Sequence, residues 1–191
     1  LLRQILDEVL HSQRRQEDAR PSQAVPTDLG ALLGGVQRLL APLAASKGLH
    51  LHCVLDPALQ RGSLVDGLRL RQILFNLAGN ALKFTAHGGV ELRLQVRQQA
   101  TAGQHLRLQV ADTGVGISPA RQRAVFAPYT QAEASTTRRF GGSGLGLAIC
   151  RELATALGGE LHLHSIPGKG TTVSLELYVP ACDAPPASPP Q

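Results

Sequence analysis

The chain has 191 residues, 43% of them apolar, which suffices for one compact domain and a short appendage but not for two cores. Its net charge of +5 comes from 16 Arg and three Lys that are scattered, and only 3% of residues are aromatic; nucleic-acid binding is not indicated, while an anionic ligand, an acidic protein partner or a plain basic surface fits. Cys53, Cys150 and Cys182 form no C-x-x-C pair, which argues against a disulfide framework or zinc knuckle and fits a reducing cytoplasm, and neither a bilayer-spanning apolar run nor a signal-peptide pattern is evident, so no direct membrane contact is expected.

Leu2, Ile5, Leu6, Val9 and Leu10 recur at helical spacing and predict an amphipathic helix in need of a partner. The proline-bearing stretch Ala19–Pro26 reads as a linker. A helix starting at Thr27 or Asp28 and ending at Gly48 follows, with a kink expected at Pro42. Leu49, Leu51, Cys53 and Leu55 alternate as in a half-buried strand. A long helix from Asp66 to Phe84 precedes two strands, Val90–Val96 and Leu106–Val110, joined by a turn containing Gly103. Gly144–Leu157 is helical again. Leu161 and Leu163, then Val173, Leu175, Leu177 and Val179, give two closing strands with Gly168 and Gly170 in the turn between them. The final "ACDAPPASPPQ" reads as a Pro-rich tail or linker. Interleaved helices and hairpins predict an α/β (α+β) two-layer sandwich with a mixed sheet.

Three segments carry chemistry. In "DGLRLRQILFNLAGNALKFT", Leu70, Ile73, Leu74, Leu77, Ala81 and Phe84 form one stripe, while Asn76, Asn80 and Lys83 fall within about 60° of each other on a neighbouring face. Asn can supply a neutral oxygen to Mg²⁺ and Lys can neutralise phosphate, although a solvated helix face explains the same residues. Leu106, Leu108 and Val110 turn even-numbered positions inward, so Asp112 faces inward at the strand end. In "DTGVGIS", Gly114 and Gly116 would leave room for a flat ligand, and a base bearing an amino group would satisfy the carboxylate; an Asx-turn closing the strand is the simpler meaning. In "RRFGGSGLGLAIC", Gly141, Gly142, Gly144 and Gly146 lead into a helix whose apolar face includes Leu145, Ile149, Leu153 and Leu157, and amides at a helix start attract phosphate. Neither a Walker loop nor a dinucleotide fingerprint is present. The polar stretch between Pro119 and Phe140 suits a mobile lid.

In this order, the asparagine helix, "DTGVGIS", "FAPYTQ", "GGSGLGLA" and "GKGTT" resemble the N box, first glycine box, F box, second glycine box and third glycine box of sensor histidine kinases. The resemblance covers about Thr27–Pro180. It implies the Bergerat ATP-binding fold, with a mixed five-stranded sheet and about three helices, and it implies ATP and Mg²⁺ as cofactors. Carried over, it assigns Asn80 to Mg²⁺, Lys83 to phosphate, Asp112 to the adenine amino group, and Gly114 and Gly116 to the base pocket. Thr172 would support the adenine side through water. Gly142, Gly144 and Gly146 would shape the lid hinge, with Phe126 and Tyr129 packing the lid. The resemblance extends the nucleotide-contacting set to Ile117, Tyr129, Arg139, Gly141, Ser143, Leu145 and Leu147, and makes Asn76 and Lys83 the catalytic pair. Gyrase-type hydrolases resemble this helix but carry glutamate where Asn76 stands; a neutral amide is a poor base, so transfer to a protein nucleophile is expected rather than hydrolysis.

Residues 1–18 resemble the end of a second dimerisation helix, 19–26 a linker, 27–180 the catalytic domain and 181–191 a tail like those that precede a receiver domain in hybrid kinases. The implied partners are the protein's own dimerisation and phosphotransfer helices, a second copy of itself, and a response regulator or receiver domain. The implied setting is a cytoplasmic domain of a membrane-anchored bacterial protein. No phospho-acceptor motif is present, and His11 reads as an ordinary surface histidine. A degenerate docking module and a gyrase-like ATPase are the alternatives. The pairs His50/His52 and His162/His164 could bind a transition metal, although solvent-facing strand positions explain them equally.

Overall fold

The computed structural model describes residues 23–60, 62–122, 125 and 146–183. Seven strands lie among them: β1 (Val25–Thr27), β2 (His50–Leu55), β3 (Ser63–Val65), β4 (Gly89–Ala100), β5 (Gly103–Asp112), β6 (Glu160–Ile166) and β7 (Gly170–Pro180). Four helices accompany them: α1 (Leu29–Ser46), α2 (Gly67–Phe84), the four-residue α3 (Pro119–Gln122) and α4 (Gly146–Ala156). Five strands form one mixed sheet in the order β2-β4-β5-β7-β6, with β2 parallel to β4 and every other pair antiparallel. The two-layer α/β architecture expected from the sequence is therefore present.

The alternation that predicted the strands is the alternation that buries them. Leu92 and Leu94 of β4, Leu106, Leu108 and Val110 of β5, and Val173, Leu175, Leu177 and Val179 of β7 all enter one core. Helices α1, α2 and α4 cover that face. Their buried residues follow helical spacing: Leu29, Leu32, Leu33, Val36, Leu40 and Ala44 on α1; Leu70, Ile73, Leu74, Leu77, Ala81 and Leu82 on α2; Ala148, Cys150, Leu153 and Ala154 on α4. Helix α1 is, by length and composition, apolar enough to cross a membrane, which the sequence reading did not anticipate; here its apolar stripe packs on α2 and β2. It continues through Pro42 and stops where Gly48 takes φ 64°.

Two features were not predicted. β1 and β3 pair as a separate antiparallel ribbon, so Val25 and Pro26, expected in a linker, are strand residues. Gly103 opens β5 rather than sitting in the turn: it pairs with Ala100 and Pro180, and it is glycine because a Cβ there would lie 2.4 Å from the Val179 carbonyl oxygen.

Helix α2 holds both ends firmly. Asp66 caps its start by accepting the Arg69 amide at 3.1 Å, and the Lys47 ammonium donates to the carbonyls of Leu82, Lys83 (3.2 Å) and Thr85 (2.9 Å) at its close. Each such tie contributes about 1 kcal/mol, which offsets the ~1–2 kcal/mol cost of Asn76, Gly79 and Asn80 in the helix interior. Lys47→Ala should lower the unfolding free energy by about 1–2 kcal/mol. Urea unfolding followed by circular dichroism reads this directly, and an unshifted midpoint would mean that the three carbonyls are equally well served by water.

Candidate functional site

Asp112 stands at the last position of β5, inward as its parity predicted, and its Oδ1 is gripped by two backbone amides. Gly114 donates from the following turn at 2.8 Å, and Thr171 donates from the start of β7 at 3.2 Å. Among the described residues Oδ2 accepts nothing. The half-buried carboxyl is pushed above its usual pKa range by desolvation, against which the two amides pull downward. The Asp112–Gly116 loop is wedged between α2 and the β6–β7 turn: Val115 donates to the Phe84 carbonyl (3.4 Å), Thr113 Oγ1 donates to the His87 carbonyl (2.9 Å), and Gly168 donates to the Val115 carbonyl (2.8 Å).

This wedging gives the glycines a nearer purpose than leaving space for a ligand. A Cβ on Gly114 would lie 2.6 Å from the Phe84 carbonyl oxygen, and one on Gly116, where φ is 69°, would lie 2.3 Å from that of Ile166. Gly170, which the sequence reading placed only in a turn, has φ 117° and no room at all: its Cβ would lie 1.9 Å from the Asp112 carbonyl oxygen. Ile117 belongs to the same corner, its amide donating to Ser165 Oγ at 2.8 Å and its carbonyl accepting from Gln122 Nε2 at 2.7 Å.

The third glycine motif needs a correction of one residue. Val173, Leu175, Leu177 and Val179 face the core, so Thr171 shares their side and that of Asp112, whereas Thr172, opposite Ala111, lies on the other face of the sheet. Thr171 supplies the amide to Asp112, and its hydroxyl lies 2.8 Å from Ser165 Oγ, which in turn donates to the Gly170 carbonyl at 3.0 Å. Ser165 is absent from the sequence-derived site, although the alternation that turns Leu161 and Leu163 inward carries it inward as well.

Across from this corner, α4 runs against the asparagine face of α2. A Cβ on Gly146 would sit 3.3 Å from Asn80 Nδ2, so the absence of a side chain lets the start of α4 close on that amide. One turn further, buried Cys150 donates from Sγ to the Ile73 carbonyl at 3.8 Å and has its thiol pushed up to about 12 by burial, with Asn76 acting in the opposite direction. Leu147 packs against the core. Lys83 lies 5.2 Å from the centre of the Phe84 ring, and partial burial depresses its pKa. The structure thus brings Asn76, Asn80, Gly146 and Leu147 together along the α2–α4 seam, and Asp112, Gly114, Gly116 and Ile117 at the neighbouring turn. Phe126, Tyr129, Arg139, Gly141, Gly142, Ser143, Gly144 and Leu145 lie outside the described residues, as do His11 and the N-terminal helix.

The histidine pairs occupy the opposite face of the sheet. His50 and His52 stack at 5.9 Å and, with Glu91, line an open groove of about 380 Å³; His162 lies 3.8 Å from Glu160. Among the described residues no three potential ligands converge on a metal position.

Asp112 carries a stability signature of its own. Its folded-state pKa is above the unfolded one, so the folded protein holds the proton longer, and stability falls as pH rises through the window between ordinary and raised values. Asp112→Asn keeps an acceptor for both amides without the desolvated charge. The ligand-free variant should therefore melt higher than the parent at pH 7, and this difference should shrink as pH is lowered below the carboxylate range. Thermal melts from pH 3 to 7 measure it; a variant that melts lower at pH 7 would show that the charge is stabilising.

Residues 65–181 match the family described as histidine kinase-, DNA gyrase B-, and HSP90-like ATPase. Sensor histidine kinase AruS of Pseudomonas aeruginosa is 40% identical over 186 residues, covering 97% of this chain and 19% of AruS. Virulence sensor protein BvgS of Bordetella bronchiseptica is 44% identical over 157 residues, covering 80% of this chain and 12% of BvgS. Among solved structures, full-length ShkA in complex with AMPPNP superposes with a TM-score of 0.71 at 36% identity, covering 87% of this chain and 33% of ShkA. The chain spans about a fifth or less of the length of these curated relatives. A family match over more than half of the chain, from the Asp66 cap through β7, places the chain in the histidine kinase-, DNA gyrase B- and HSP90-like ATPase family.

Proposed function

We propose that this chain is the ATP-binding catalytic module of a two-component sensor histidine kinase, serving transfer of the γ-phosphoryl group to a histidine outside its 27–180 domain. The observation that carries the reading is Asp112: a carboxylate locked by two amides on Oδ1, with Oδ2 open among the described residues, beside a turn whose glycines hold the backbone close. Such an oxygen suits the exocyclic amino group of adenine. That AMPPNP is bound in the ShkA structure supports a nucleotide of this class.

The residues along α2 fit a magnesium-bearing triphosphate. The Asn80 side chain offers a neutral oxygen of the kind Mg²⁺ accepts alongside phosphate and water, and Lys83, half-buried near the same helix end, can offset charge on the phosphates. When bound, the metal would supply charge neutralisation. Asn76, neutral and packed towards Cys150, can orient a group but cannot take a proton from water, so phosphate goes to an imidazole nitrogen with loss of ADP rather than to solvent. We assign Ile117, Gly146 and Leu147 to the same set of nucleotide contacts, and Thr171 takes the supporting position that the resemblance gives to Thr172. Tyr129, Arg139 and the glycines from Gly141 to Gly144, with Ser143 and Leu145, complete the proposed nucleotide contacts on the lid.

In the whole protein we place residues 1–18 at the end of a dimerisation helix and 19–24 in a linker, Val25 and Pro26 belonging to β1, and the residues that follow the β3-held Ala181 and Cys182 in a tail leading to a receiver domain. The partners would be those helices, a second copy, and a response regulator or receiver aspartate, in a cytoplasmic domain of a membrane-anchored protein.

Titration of the chain with ATP and ADP, with and without Mg²⁺, tests the reading. ATP should bind, Mg²⁺ should strengthen it, and hydrolysis without an acceptor histidine should be slow. No binding at millimolar ATP would instead favour a docking role. Asp112→Asn should weaken ATP and ADP alike by about tenfold, the worth of one charge-assisted contact. Undiminished affinity in that variant would remove adenine recognition by Asp112.

A further inference from the structure

The carboxylate of Asp66 is divided between two roles. Oδ1 accepts the Arg69 amide at 3.1 Å and caps α2, while Oδ2 accepts the Gln23 amide at 3.2 Å from the chain leading into β1. The Arg69 guanidinium stands 3.7 Å from the same Oδ2, and both side chains are nearly shielded from solvent. Four residues after Gln23, Thr27 Oγ1 donates to the Val25 carbonyl at 2.9 Å and stands 3.3 Å from the Val65 carbonyl across the β1–β3 pair, and it lies against Gly67, whose Cβ would meet the Thr27 side chain at 3.2 Å. The incoming strand is thereby joined both to β3 and to the first turn of α2.

β3 holds the outgoing chain as well. Ser63 bridges Ala181, the Cys182 amide donates to the Gly62 carbonyl at 3.4 Å, and a Cβ on Gly62 would lie 2.3 Å from the Cys182 carbonyl oxygen. Beneath this ribbon Ser63 and Gln104 are fully buried and 3.4 Å apart. The chain arrives and leaves on the two sides of one three-residue strand, and that strand runs straight into the cap of the helix that bears Asn76, Asn80 and Lys83.

We propose that Asp66 is a positioning residue that couples the incoming segment at Gln23–Thr27 to the asparagine-bearing helix. The coupling rests on the reading that a nucleotide binds along α2. A packed helix moves as a unit, so a change in how the incoming chain pulls on its cap alters the seating of the asparagines. By linkage, a nucleotide that fixes α2 must in turn tighten the incoming strand by the same free energy.

Hydrogen exchange on the whole 191-residue chain, with ADP and Mg²⁺ as the probe, tests this. In the parent, ADP·Mg²⁺ should slow exchange of the Gln23, Val25 and Thr27 amides at least about fivefold, the lower end of ordinary coupling. Asp66→Ser retains a good helix cap but is too short to hold Gln23, so it separates the two roles. In that variant α2 protection should stay close to the parent, while the ADP-dependent slowing in β1 disappears and ADP binds up to about fivefold more weakly, the same factor seen from the other side. Asp66→Ala, which loses both roles, should also loosen the first turn of α2. Persistent slowing in Asp66→Ser, or none in the parent when ADP is bound, overturns the coupling alone. Failure of the parent to bind ADP overturns the nucleotide reading and the coupling with it.

Discussion

Two backbone amides from distant segments, those of Gly114 and Thr171, converge on one oxygen of Asp112, and the rest of the site is arranged around that convergence. It requires β7 to begin with its backbone almost touching the end of β5, which Gly170 alone permits. It also requires the turn after Asp112 to press on the end of α2, which Gly114 permits. A carboxylate fixed in this way loses little further freedom when a ligand reaches its second oxygen, so the ordering cost is met in folding rather than in binding.

The asparagine helix is the other half of the arrangement, and it is intrinsically a poor one. Asn76, Gly79 and Asn80 weaken its middle, and the compensation is placed at its ends, where Asp66 and Lys47 satisfy backbone groups that the helix cannot. Packing of α4 along the same face completes the support, since Gly146 lets α4 close on Asn80 and Cys150 closes on Ile73 one turn away. Polar groups useful to a ligand are thus held by neighbours rather than by their own helix propensity.

Much of this was legible in the residues. The sheet could be read because, among the described residues, helices cover only one of its faces, which leaves a clean alternation in β4, β5 and β7, and that same parity puts Asp112 inward. The stripe from Leu70 to Ala81 was likewise plain. The parity that locates Asp112 also selects Thr171, since Val173 to Val179 bury odd-numbered positions, whereas the resemblance points to Thr172. β1 and β3 left no trace because three residues are too few to show a period, and Pro26 argues against a strand. The glycines were recognised as necessary, but their real neighbours are the carbonyls of Phe84, Ile166 and Asp112, distant in sequence and therefore invisible to it.

The amide of Gln122 reaches past Ile117 to the carbonyl of Ser165 on β6, an outermost strand of the sheet. A stray strand seeking to extend the sheet there would meet an acceptor already engaged, with the exposed imidazoles of His162 and His164 alongside. The short turn of α3 therefore keeps one acceptor on the outer side of β6 occupied, next to the turn that holds Asp112.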